Sequence, residues 1–77
     1  MEPAGRIAAI GEDARIAGLA LAGVTTVTAE GLDAVRRAWA GLAADVALVL
    51  LTPAAATALD DVLGDRSSPR LTVVLPP

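Results

Sequence analysis

The chain contains no cysteine, histidine, lysine, tyrosine or phenylalanine, and only one tryptophan. Each absence removes some chemistry. Without cysteine and histidine there is no disulfide staple, no structural zinc, no haem ligation by histidine and no Cys–His or Ser–His nucleophile. Without lysine there is no Walker A loop and no Schiff base. Without tyrosine there is no phenolic acid. Six arginines against nine carboxylates leave a net charge of −3. There is no basic stripe, and Trp39 alone could stack on a base, so nucleic acid is not an expected partner. Carboxylates, arginines, a few threonines, Ser67 and Ser68 remain, a poor inventory for an enzyme. No catalytic residue, cofactor or metal is expected. Long apolar runs are also missing. Val46 to Leu51 is far shorter than the ~18 residues of a membrane span, and Met1 to Gly5 lacks the basic start of a secretory signal. The expected location is cytoplasmic.

What is present is small and apolar. Of 77 residues, 55% are hydrophobic, mostly Ala, Val and Leu. A chain of this length buries only about 60–65% of its unfolded surface, and small side chains each bury little area. Modest stability alone is expected, with a stabilising partner as one remedy.

Strands alternate with helices along the chain. Arg6 to Ile10 reads as a strand, apolar enough to be covered on both faces. Gly11, Glu12 and Asp13 form a turn, and either carboxylate could cap the helix that follows, about Ala14 to Leu21. Ile16, Leu19, Ala20 and Gly23 fall at helical spacing and should face the sheet. Gly18 inside the helix suggests close backbone packing, and Gly23 a left-handed cap. Val24 to Thr28 is β-branched and reads as a second strand. A helix follows, about Leu32 to Leu42. It carries Leu32, Val35, Trp39 and Leu42 on one face and an Asp33–Arg37 pair on the other. Val46 to Leu51 is a buried strand with Asp45 at its mouth. Thr52-Pro53 opens a third helix, with Thr as N-cap and Pro at the first position. Leu59, Val62 and Leu63 form its apolar face and Gly64 its stop. Asp65 to Arg70 is a loop, and Leu71 to Leu75 a fourth strand ended by Pro76 and Pro77. The βαβαβαβ order predicts an α/β domain with a four-stranded parallel sheet and helices on both faces. With no helix after the fourth strand, one face is thinly covered, which leaves self-association open.

Several residues could form sites. Glu12 and Asp13, at the carboxyl end of the first strand, could belong to a Mg²⁺ site of the response-regulator kind. That chemistry needs a phosphorylatable Asp at the end of the third strand, where this chain has Thr52, and a lysine that it lacks. The other reading is helix capping or surface contact. Gly11 starts no G-x-G-x-x-G loop; the next glycine is Gly18, and the acidic pair would repel a pyrophosphate. Arg36 and Arg37 read as a solvated face or as a dock for an acidic partner helix. Trp39 reads as a core plug or an interface anchor.

The run Ile10-Gly11-Glu12-Asp13, followed by Gly18-Leu19-Ala20-Leu21-Ala22-Gly23-Val24, closely resembles the amino-terminal signature of the F subunit of the V/A-type rotary ATPases. Asp45-Val46-Ala47-Leu48-Val49-Leu50-Leu51-Thr52 resembles the family's third strand and threonine-led helix, and Pro69 to Pro76 its fourth strand. The resemblance covers Arg6 to Pro77. Two features depart from it. Leu19-Ala20 stands where members usually carry an aromatic–arginine pair, so that arginine's contact is not carried over. Members also continue past the fourth strand into a mobile segment with a helix.

The resemblance implies one small flavodoxin-like (Rossmann-like) domain over residues 1–77, ordered over about 6–75, without the carboxyl-terminal tail helix. It implies a non-catalytic central-stalk component that binds the coiled coil of the D subunit and supports coupling of ATP hydrolysis or synthesis to ion transport. That places the chain at the membrane periphery, with no insertion of its own. The tail helix is the part that reaches toward the catalytic hexamer, so docking on the coiled coil is expected without tail-dependent regulation. The expected contact residues are Glu12, Asp13, Arg15 and Leu19, then Arg36 and Arg37. The alternative is a degenerate receiver-like or nucleotide-sensing domain.

Overall fold

A computed structural model describes residues 5–63 and 70–77. Four strands form one all-parallel sheet: β1 (Arg6–Gly11), β2 (Thr25–Thr28), β3 (Val46–Leu51) and β4 (Leu71–Val74). Their spatial order is β2-β1-β3-β4, the flavodoxin-like order, in which the chain switches direction across the sheet between β1 and β3. The helices are α1 (Asp13–Ile16), which runs on into a 3-10 helix (Ala17–Ala22), α2 (Leu32–Ala40), α3 (Pro53–Ala58) and α4 (Asp60–Leu63).

Alternation along the strands divides the apolar residues between two faces. Ala8 pairs with Val49 and Ile10 with Leu51. These four are fully buried in one cluster with Val35 of α2, Ala55 of α3 and Leu59. Each such Ile or Leu is worth about 1.5–3 kcal/mol relative to exposure. A bulge tunes the register: Arg6 pairs with Val46 but Ile7 with Leu48, so Ala47 is an extra residue. That shift is why Val46 and Val49, three residues apart, both join this core. The opposite face buries Ala9 under α1, where Ile16 is fully covered. Helices therefore lie on both faces, but unequally.

Several local expectations are corrected. The first helix is one α-turn followed by a 3-10 helix. The 3-10 repeat turns Ala20 outward and leaves Leu19 half-buried. Gly18 permits no close packing, because a Cβ there would meet nothing within 4 Å. Gly23 is the expected left-handed cap, with φ +86° and its N–H bonded to Ala20 O at 3.1 Å. Neither carboxylate of the turn caps α1 through its side chain. Leu32 is 55% exposed at the start of α2, while Val35 carries the buried face. The expected Asp33–Arg37 ion pair is replaced by a 3.4 Å bond from Arg37 Nε to the Asp33 carbonyl. The third helix breaks at Leu59, whose side chain is fully buried. The expected stop at Gly64 and the loop up to Pro69 lie outside the described residues.

Candidate functional site

The acidic turn and the third helix start meet at the carboxyl ends of β1 and β3. The pairing that sets Ile10 beside Leu51 brings Gly11 and Thr52 next to each other. Thr52 N donates to Ile10 O at 3.2 Å, and Ala29 N donates to Gly11 O at 2.9 Å. The fully buried Thr52 side chain fills the space beside Gly11: a Cβ at Gly11 would lie 2.6 Å from Thr52 Oγ1 and 2.9 Å from its Cβ. Glycine is required here by close approach, not by backbone conformation.

Thr52 Oγ1 works in two directions. It accepts the Ala55 N–H at 3.3 Å as N-cap of α3, and donates to Glu12 Oε1 at 2.7 Å. Sequence reading finds the cap but misses the donation, because Glu12 and Thr52 are 40 residues apart. Arg15 Nε lies 3.4 Å from Glu12 Oε2. The Thr52 hydroxyl bond, then a backbone bond, hold the Glu12 carboxyl below its usual range; burial opposes them, and the Arg15 charge adds a lesser lowering. A carboxylate so stabilised stays ionised at neutral pH and is not poised for proton transfer. Asp13 accepts from Thr28 Oγ1 at 3.3 Å. Both acids of the turn are thus tied to neighbouring segments.

Four predicted contact residues, Glu12, Asp13, Arg15 and Leu19, lie along one run of chain beginning at this corner. Beside it opens a cleft of about 450 Å³ between α2 and α3, lined by Glu12, Glu30, Leu32, Val35, Ala54 and Ala58 among others. It occupies the position where open parallel sheets keep their ligands, but its two acids would repel a phosphate. Among the described residues, no three acidic, histidine or cysteine side chains come together to hold a metal.

Arg36 and Arg37 are separate from that corner and from each other in role. Arg36 Nη2 meets Asp61 Oδ1 at 2.7 Å, joining α2 to α4 and holding the Asp61 carboxyl below its usual range. Arg37 leans back on its own helix. Trp39 packs against the core as a half-buried side chain, with the Arg70 guanidinium 5.9 Å from its ring centre. The sequence presents Arg70 only as the end of a loop. In the structure it donates to Val46 O at 3.1 Å and Ala43 O at 2.9 Å, clamping the start of β4 to the start of β3. Nothing in the local sequence marks that contact. At the other end of β1, Arg6 and Asp45 pair through two bonds of 2.9 and 2.7 Å.

Fold and site together define a small parallel α/β domain with a hydrogen-bonded polar corner at the carboxyl ends of β1 and β3. The chain matches the family model described as ATP synthase (F/14-kDa) subunit over residues 7–76. It belongs to that family of rotary ATPase components. No curated protein sequence matches it. Among the described residues, no helix is long and apolar enough to cross a membrane.

Proposed function

We propose that this chain is a non-catalytic component of the central rotor stalk, docked on the coiled coil of the D subunit. In this role it supports the coupling of ATP hydrolysis or synthesis to ion movement. The observation that carries the reading is family membership over nearly the whole chain. The site chemistry supports it: an ionised, hydrogen-bonded Glu12 suits a fixed contact better than a proton-transfer step. Glu12, Asp13, Arg15 and Leu19 form the first proposed contact group, with Arg36 and Arg37 second. Binding energy at such surfaces concentrates in a few residues. The domain then sits at the membrane periphery within the complex.

Titration of a soluble coiled coil from the D subunit, followed by Trp39 fluorescence and by calorimetry, tests the reading. A saturable 1:1 complex is expected; no complex at about 50 µM, a Kd range weaker than roughly −6 kcal/mol, refutes it. The cleft at the strand ends favours one competing reading, a receiver-like or nucleotide-sensing domain. A saturable Trp39 response to Mg²⁺ with acetyl phosphate, or to a nucleotide, would support that competitor instead.

A further inference from the structure

We infer that the thinly covered face of the sheet, over β3 and β4 beside α1, seats a single partner helix that carries an apolar stripe on its outer side. The inference rests on the stalk reading for the identity of that partner, one helix of the stalk's coiled coil.

The pairing register places five apolar side chains on this face. Ile7 pairs with Leu48, Leu48 with Leu71, and Leu50 with Val73. Ile7 is 42% exposed, Leu71 72% and Val73 49%, while Leu48 and Leu50 are half-buried. The α1 turn and the 3-10 helix cover the sheet mainly over β1 and β2. Parallel sheets of this class are covered on both faces, so an apolar strip left open is an incomplete layer.

The dimensions select the occupant. From β1 to β4 the strip spans two strand spacings, about 10 Å, close to the ~10 Å diameter of one helix. The four residues of β4 run about 13 Å, which nine or so helical residues match. A second copy of this chain is a poor fit. Five partly covered side chains offer a few hundred Å² at most, well under the roughly 800 Å² per partner of a stable interface. Two copies would also each bring a net charge of −3. The strip has no charged or polar side chain, so it rewards only an apolar stripe at i, i+3 or i+4, and i+7. In a two-stranded coiled coil the a and d positions face the sister helix. The docking helix must therefore carry apolar residues at outer positions for two to three turns.

The test uses the full chain, a soluble coiled coil from the D subunit and calorimetric titration. Leu71→Glu and Val73→Arg alter side chains that are mostly or half exposed, so circular dichroism melts should stay near those of the unaltered chain. Each is expected to weaken binding by about tenfold or more, while Asp60→Asn, in α4 on the other face of the sheet, stays within about twofold. Coiled-coil binding that is indifferent to both face variants overturns this inference and leaves the stalk reading standing. If the unaltered chain fails to bind the coiled coil, the stalk reading falls. An 18-residue synthetic helix with a Leu/Ala stripe then decides the inference: binding lost in Leu71→Glu sustains it, and no binding overturns it. A dimer by native mass spectrometry that Leu71→Glu abolishes would assign the face to a second copy and overturn it as well.

Discussion

Replacing Thr52 with valine keeps the side-chain volume and removes one hydroxyl. That hydroxyl is fully buried, accepts the Ala55 N–H and donates to Glu12. Losing the N-cap bond costs about 1 kcal/mol, because the Ala55 N–H loses its side-chain acceptor at a buried helix start. Loss of the hydroxyl's second bond adds roughly 0.5–1 kcal/mol, at the low end because water reaches the acceptor. The sum is about 2 kcal/mol, or a fall of roughly 8–16 °C in Tm for a domain this size. Thr52→Ser keeps both bonds and loses one buried methyl, about 1 kcal/mol.

The same packing predicts non-additivity. Gly11→Ala pushes a methyl into the Thr52 side chain and should cost about 1–3 kcal/mol. Thr52→Ala removes the two nearest atoms it strikes, Cγ2 and Oγ1, and leaves only Cβ against the new methyl, so the double variant should be more stable than the two single losses predict. Thermal and urea melts of these variants beside the parent are the assay. A Thr52→Val protein that melts within about 2 °C of the parent, or additive effects of Gly11→Ala and Thr52→Ala, would refute the account of this corner.

Stability should fall with acid. Hydrogen bonds from Thr52, Arg6 and Arg36 lead in holding Glu12, Asp45 and Asp61 below their ordinary values. The stabilisation is present above the unfolded carboxyl range and is lost as pH falls through the lower folded values, from about pH 5 downward. Melts from about pH 7 to 3 test this, and Thr52→Val should flatten the decline. Gly18→Ala should stabilise by about 0.5–1 kcal/mol, since no atom opposes the new methyl and the unfolded chain loses freedom. Gly23→Ala, equally uncrowded but at φ +86°, should destabilise by about 1 kcal/mol; a lowered Tm for Gly18→Ala would contradict the first expectation, and a raised Tm for Gly23→Ala the second. Arg36→Ala breaks only an exposed pair and should move Tm by about 2 °C or less. Arg70→Ala releases two strand starts and the Trp39 ring, so about 1–2 kcal/mol and a shifted Trp39 emission are expected.

The sequence by itself determined the element order, because apolar runs, the Thr52-Pro53 start and the Gly23 cap are local signals with local causes. It also determined what chemistry is missing, since a side chain that is not encoded cannot act. Val46 to Leu51 shows how complete such a signal can be: its unbroken apolar run between Asp45 and Thr52-Pro53 has the length and boundaries of a buried strand. Two expectations failed on helix geometry: Ala17–Ala22, which buries no residue, is a 3-10 helix, and a break at the buried Leu59 splits the third helix.

The candidate site divided along the same line. Glu12, Asp13 and Arg15 were legible because they are neighbours in the chain. The Thr52 hydroxyl on Glu12, the fit of Gly11 against Thr52, and the Arg70 clamp were decided only by the parallel register of β1, β3 and β4. Register couples residues tens of positions apart, and no local pattern encodes that coupling. The open strip of Ile7, Leu48, Leu50, Leu71 and Val73 has the same origin. Each residue alone reads as an ordinary strand hydrophobe, and only the sheet order and the placement of α1 over β1 and β2 leave the five of them, among the described residues, without a full layer above.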